Sequence, residues 1–307
     1  MICEECKKDF ATEKELHYHL RSHKIKVEDY YKKYFPRFDL FSKDPIPFKN
    51  RETYLETDFI SKSNLRQWLK RQDIEVAQEY CKNLIKKRID KKGITFAPMQ
   101  IETRSLKDMP AINYYDCIFK DGYYNLCEGL GLKLKFRKNN KKYESIEKEV
   151  KFIKQDSREQ TPLDLDFPIE VTNLSFGDYC LDDPEKNGNI FIERKSLPDA
   201  LGTLSKGLER FSNEIERASI ANAYIVVLVE DTIERALSFN HLPYIYCKMH
   251  PDAIFHNIRE LLQRYDNIQF LFVSGRKDAA KIGKRILFSK NMAREKDLQL
   301  LYDIGGI

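Results

Sequence analysis

Apolar residues follow two regimes along the chain. From residue 151 onward, short runs rich in β-branched and aromatic residues alternate with longer stretches of helical period. FIKQ, EVTNLSF, NIFIERK, AYIVVLVE and IQFLFVS have the length and composition of strands. SLPDALGTLSKGLERFSNEIERA, HPDAIFHNIRELLQRY and RKDAAKIGKRILF repeat their apolar positions at helical spacing. Strands that alternate with helices predict an α/β core, a partly parallel mixed sheet flanked by helices. Upstream the pattern is less regular. Residues 1–26 form a small Cys/His segment, and residues 27–72 interleave Tyr, Phe and Lys, with Pro36, Pro45 and Pro47 breaking any long helix. Residues 73–143 carry the helical stretch IEVAQEYCKNLIKKRI and shorter helical pieces, then end in the basic run KLKFRKNNKK, the expected linker. The expected organisation is thus 1–26, 27–72, a mainly helical 73–143, an α/β domain over 150–290 and a C-terminal tail, 291–307.

Composition narrows the classes. The chain has 307 residues, 42% hydrophobic and 33% charged, and no apolar run long enough to span a bilayer. Its N-terminus lacks an apolar signal segment. Seven cysteines, five of them scattered singly, argue against a disulfide framework and for a reducing, intracellular setting: the cytoplasm of a bacterial host, or the nucleus of a eukaryote. Cys81, Cys117, Cys127, Cys180 and Cys247 are expected to be small buried side chains. The net charge of +5 conceals an asymmetry. Residues 1–150 hold 32 Lys and Arg against 24 Asp and Glu, whereas residues 151–307 hold 21 against 24. The front half suits a polyanion.

The stretch CEECKKDFATEKELHYHLRSH places Cys3 and Cys6 on a turn, and His19 and His23 one helical turn apart. Two thiolates and two imidazoles at this spacing close a tetrahedral Zn2+ site, with Phe10 and Leu16 as a small apolar core. All four ligands and both core positions resemble the C2H2 zinc finger. That resemblance implies base-reading positions at Thr12, Glu15 and Tyr18, with protein contact as the alternative use. His17 is expected to be exposed.

Residues 94–136 carry Pro110, Tyr114, Phe119, Gly122, Tyr123, Asn125 and Gly131 in a pattern similar to the small helical repeat associated with phage homing endonucleases, which implies a DNA-contact module. Lys133, Lys135, Arg137, Lys138, Lys141 and Lys142 follow, able either to neutralise phosphates or to form a solvated linker. The aromatics of 27–72 suit stacking on nucleic-acid bases or filling a small core, and Trp68 is placed in that core.

The chemistry concentrates further on. Asp156 ends the first predicted strand, with Arg158 and Glu159 beside it. Asp178 precedes Glu193 by fifteen residues, and Glu193 and Lys195 alternate onto one face of a strand. Carboxylates on neighbouring strands hold a divalent cation through oxygen, and an adjacent amine can orient water toward a phosphate. Gly177-Asp178, fourteen residues, Glu193-Arg194-Lys195, three residues and Asp199 resemble the signature of the XPF family of structure-selective endonucleases, within the PD-(D/E)xK superfamily of restriction-endonuclease-like folds. The likeness covers about residues 150–290; Gly207, Arg210, Phe211 and the following LVE belong to it. It implies Mg2+ (or Mn2+) on Asp178 and Glu193 with Asp156 as the further acid. Glu193 and Lys195 would position the attacking water. Asp199 would lie near the metal or hold Lys195 and Arg194, and Arg158 and Arg210 would meet phosphate. Eukaryotic members continue into tandem helix-hairpin-helix motifs, whereas here residues 289–307 follow the last predicted helix. DNA contact is therefore expected at the N-terminal finger and middle region, and a homodimer through the nuclease domain remains open. The expected function is a metal-dependent DNA endonuclease on branched or flapped DNA in recombination, repair or replication. A site-directed, homing-like cutter of phage or viral origin, and a non-catalytic DNA-binding protein on a nuclease fold, are the alternatives.

Overall fold

A computed structural model describes residues 1–136, 144–239, 242 and 248–307. Arg137, Lys138, Lys141, Lys142 and Cys247 lie outside the described residues. Contacts group the chain into two compact units, residues 1–84 with 107–110, and residues 85–106 with 111–307.

The second unit is built on one six-stranded sheet. Its strands are β1 (Ile153–Asp156), β2 (Ile169–Thr172), β3 (Tyr179–Leu181), β4 (Ile190–Lys195), β5 (Tyr224–Val229) and β6 (Ile268–Phe272), in the order β2-β1-β3-β4-β5-β6. β3 runs antiparallel to β1 and β4; the other pairs are parallel. β5 is buried at all six positions, as expected of a central strand covered on both faces. β6 is an edge strand yet equally buried. The helix Leu298–Asp303 closes it, for the Gln299 side chain accepts from Phe272 N at 2.9 Å and its amide points back at Phe272 O at 3.4 Å. The buried Gln269 amide is likewise satisfied by Leu298 N and by the Ala293 and Lys296 carbonyls. Residues 291–307 are therefore a structural cover for the sheet.

Five strands and the helices Pro251–Arg264 and Arg276–Phe288 follow the sequence pattern. Two details differ. The stretch read as a single helix over 196–218 is two, Leu197–Thr203 and Leu208–Ile220, with Gly207 as N-cap of the second. β3 has only three residues, too few for a periodicity signal.

The middle region is not a separate module. Its helix Gln100–Ser105 is tied to the sheet domain: Gln100 N donates to Asp297 Oδ2 at 2.6 Å, Gln100 Nε2 to Asp303 Oδ2 at 2.7 Å, and Arg104 Nη1 to Asp303 Oδ1 at 2.6 Å. The Phe96 backbone exchanges hydrogen bonds with the Gln263 amide, which also donates to Glu102 Oε1. Tyr115 and Tyr123 are fully buried, and the Tyr123 hydroxyl donates to Pro98 O. Lys135, expected on DNA, turns inward and donates to the carbonyls of Leu262 and Tyr265 at the end of the helix Pro251–Arg264. Lys133 is exposed. Cys81, Cys127 and Cys180 are buried as expected, but Cys117 is exposed, lying on the outer face of the helix Ile112–Ile118.

In the first unit the Cys/His segment does not stand alone. Cys3, Leu16 and Leu20 share one apolar cluster with Tyr30, Tyr31, Ile46 and Tyr54, so the aromatics after residue 26 fill a core with the Cys/His segment. Trp68 packs against Phe59 and Tyr80. His17, expected to be exposed, is half-buried, its Nε2 3.2 Å from the Tyr31 hydroxyl.

Candidate active site and Cys/His centre

β3 and β4 meet at the loop that enters β3. Asp178 N donates to Ile192 O at 2.7 Å, which sets Tyr179 opposite Ile192. Gly177 makes the approach possible. Its φ is +58°, and a Cβ there would stand 2.8 Å from Ile192 O. Asp178 then accepts the Arg194 backbone N–H at 2.7 Å, which ties the carboxylate to β4.

On β4, Glu193 and Lys195 share a face, with Lys195 Nζ 2.7 Å from Glu193 Oε1. Burial first, and the Glu193 charge second, push the Asp178 carboxyl up to about 7. Two carboxylates held together this way call for a positive charge between them. Their oxygen donors fit a hard cation such as Mg2+ or Mn2+.

Arg194 projects to the opposite face and is nearly buried. It forms a two-pronged pair with Glu159 at 3.1 Å for both contacts, donates to Thr161 Oγ1 at 2.7 Å and lies 3.4 Å from Glu230. Glu230 also accepts from Arg276 at 2.9 Å. This network braces the β4 end from behind.

Other expected residues take different places. Asp156 is 1% exposed, and each of its oxygens accepts two hydrogen bonds, from Arg158 N and Nε on one and from Arg158 Nη2 and Leu174 N on the other. The Arg158 guanidinium holds its carboxyl down to about 2. Asp156 therefore ties the turn after β1 to the loop between β2 and β3, with each of its oxygens already bonded to two donors. Arg158 is committed to Asp156 and Leu174 O, although most of its side chain is exposed. Asp199 is exposed and accepts from Ser196 Oγ at 2.6 Å while Ser196 caps the helix Leu197–Thr203, so it holds a helix start and neither Lys195 nor Arg194. Arg210 is exposed on the helix Leu208–Ile220.

Sequence reasoning missed Glu214 on that same helix. It is half-buried, and burial and Glu193 raise its carboxyl, with Lys195, Arg217 and Arg210 opposing. Its position one helical turn after Phe211 was the available signal.

In the first unit the ligand atoms of Cys3, Cys6, His19 and His23 lie within 4.8 Å of one another. The turn carrying Cys3 and Cys6 is closed by Cys3 N to Lys8 O and Lys7 N to Cys3 O, with Lys7 at φ +61°. His19 Nε2 faces His23 Nε2 at 3.0 Å and Cys6 Sγ at 3.2 Å. Ring nitrogens and thiols turned on one point fit a tetrahedral zinc ion. Thr12 and Glu15, read as base contacts, form a reciprocal capping box: Thr12 Oγ1 accepts Glu15 N, and Glu15 accepts Thr12 N. Tyr18 is 71% exposed, with Arg21 stacked on its ring at 5.1 Å.

The mixed six-stranded sheet flanked by helices is an α/β nuclease-type fold, with the acids Asp178 and Glu193 at its β3–β4 junction. More narrowly, residues 151–286 match the ERCC4 domain. Among solved structures, "XPF from Aeropyrum pernix" is similar at 18% identity over 44% of this chain and 59% of that one, with a TM-score of 0.35. "XPF from Aeropyrum pernix, complex with DNA" is similar at 20% identity over 51% of this chain and 75% of that one, also with a TM-score of 0.35. The chain thus spans 59% of the first of these. No curated protein matches the chain. No helix among the described residues is long and apolar enough to cross a membrane.

Proposed function

We propose that this protein is a divalent-cation-dependent DNA endonuclease. The observation that carries the reading is the Asp178–Glu193–Lys195 arrangement at the β3–β4 junction, inside the segment that matches the ERCC4 domain. Asp178 and Glu193 would hold Mg2+ or Mn2+. When bound, the cation polarises the phosphate and acidifies a water molecule. Lys195 supplies positive charge beside the scissile phosphate. Arg194 keeps β4 rigid through Glu159 and Glu230, and Arg210 lies exposed where backbone phosphates would pass. Hydrolysis would proceed by in-line attack of water, without a covalent intermediate on the protein.

Branched or flapped DNA is the proposed substrate class, on the strength of the XPF-type motif. The first unit is proposed to bind zinc through Cys3, Cys6, His19 and His23 and to meet nucleic acid through the exposed Tyr18 and Arg21.

The test is cleavage with Mg2+ of linear duplex, flap, fork and four-way junction DNA, with Asp178→Ala as control. Flap or junction cutting that vanishes in the variant is the expected result. Cutting confined to rare sites in long duplex favours a site-directed enzyme. DNA binding without cutting by either protein removes the endonuclease reading.

A further inference from the structure

Lys195 has three acids around it, and only one engages it. Glu193 holds the ammonium at 2.7 Å. Asp178, whose carboxyl burial and Glu193 push up, lies close enough for the Lys195 charge to oppose that rise. Glu214 approaches from the helix Leu208–Ile220, whose Phe211 ring centroid stands 5.9 Å from Lys195 Nζ. Phe211 and Glu214 are three residues apart, so they share the face turned to β4. Phe211 is 3% exposed and Glu214 half-buried, so the Glu214 carboxylate is held at the site. It makes no hydrogen bond or ion pair with a described residue, while the charges of Lys195, Arg217 and Arg210 act on it, so it is free to receive an ammonium.

The ion pair between Lys195 and Glu193 creates a conflict. An ammonium on a carboxylate competes with a divalent cation for the same oxygens. We propose that Glu214 is a positioning residue that accepts Lys195 when Glu193 turns to the cation, so that Glu193 is freed and Lys195 stays beside the reacting phosphate. This rests on the nuclease reading given above. The exchange is one salt bridge for another, with no bond made or broken and no net proton transfer.

The test uses the full-length, zinc-loaded chain and Mn2+ alone as probe, with free Mn2+ read by electron paramagnetic resonance. Wild type, E214Q, K195M and the double variant are compared, and melting temperatures confirm folding. E214Q is expected to weaken Mn2+ binding about fivefold to tenfold, within the range of coupled neighbouring charges. K195M removes the competitor, so E214Q in that background is expected to change binding by less than about twofold. E214D is expected to restore most of the affinity. An unchanged affinity in E214Q, or an equal loss with and without Lys195, overturns the proposal, because Glu214 would then be a bystander or would act on the cation directly. Wild-type protein that binds no Mn2+ and cuts no DNA removes the nuclease reading itself, and this inference with it.

Discussion

The backbone N–H of Arg194 donates to the Asp178 carboxylate at 2.7 Å, so the two halves of the acidic motif are one mechanical unit. That contact exists because Gly177 lets the loop pass within reach of the Ile192 carbonyl. Gly177→Ala brings both a strained positive φ and a Cβ that meets backbone. It is expected to cost about 1–3 kcal/mol and to abolish cleavage, since Asp178 leaves its place. Denaturant melts and the flap assay read the two effects. A variant that cuts at the wild-type rate would show that the tight approach is dispensable.

The Asp178 carboxyl, pushed up to about 7 by burial and by Glu193, makes a prediction about pH. Its folded value lies above that of an unfolded Asp, about 4, so the folded chain binds this proton more tightly than the unfolded chain. Its contribution to stability is therefore present at low pH and lost as pH rises from about 4 through 7. Asp178→Asn cannot ionise and escapes the loss. Without added divalent cation, the variant is expected to melt above wild type at pH 8, by a margin that shrinks as pH falls through 7. Added Mg2+ is expected to raise the wild-type melting temperature and leave the variant unmoved. A margin equal at pH 5 and pH 8 would contradict the assignment.

Lys133 and Lys135 look alike in the basic run but have different roles. The Lys135 ammonium satisfies two carbonyls at a helix C-terminus and lies 5.0 Å from the Phe96 ring, and burial lowers it to about 8. Lys135→Met is expected to cost about 1–3 kcal/mol, because both carbonyls lose their donor. Lys133→Met is expected to leave stability unchanged and to flatten the salt dependence of DNA binding. Chemical denaturation and binding titrations at two salt concentrations separate the two.

The fold was largely legible in the chain where the pattern is regular. β4, β5 and β6 and the helix Arg276–Phe288 lie where apolar spacing puts them, because each buries a continuous face. The β4 pair Glu193 and Lys195 was legible for the same reason, since alternation fixes their common face. Asp156 was not. Its role depends on Arg158 folding back and on Leu174, eighteen residues on, offering its N–H, which no local spacing encodes. The local contact of Asp199 was hidden because a Ser three residues before an Asp reads equally well as a helix cap, the use it has here. The inward turn of Lys135 was hidden because its partners are Leu262 and Tyr265, more than a hundred residues away in sequence.

The Cys/His centre extends the same reasoning to the first unit. Cys3 belongs both to the ligand set and to the apolar cluster with Tyr30, Tyr31 and Tyr54. The Tyr30 hydroxyl also accepts from Glu4 N at 2.8 Å, next to that ligand. Loss of the metal should therefore loosen more than residues 1–26. Protein purified without chelator is expected to carry one zinc per chain, and Cys3→Ser to carry none. In the variant, amide exchange is expected to speed up across the helix Val27–Tyr34 as well as in the finger, while β5, in the other unit, keeps its protection. Accelerated exchange confined to residues 1–26 would mean that the tyrosine cluster holds its helix without help from the metal. A full complement of zinc in Cys3→Ser would remove Cys3 from the ligand set altogether.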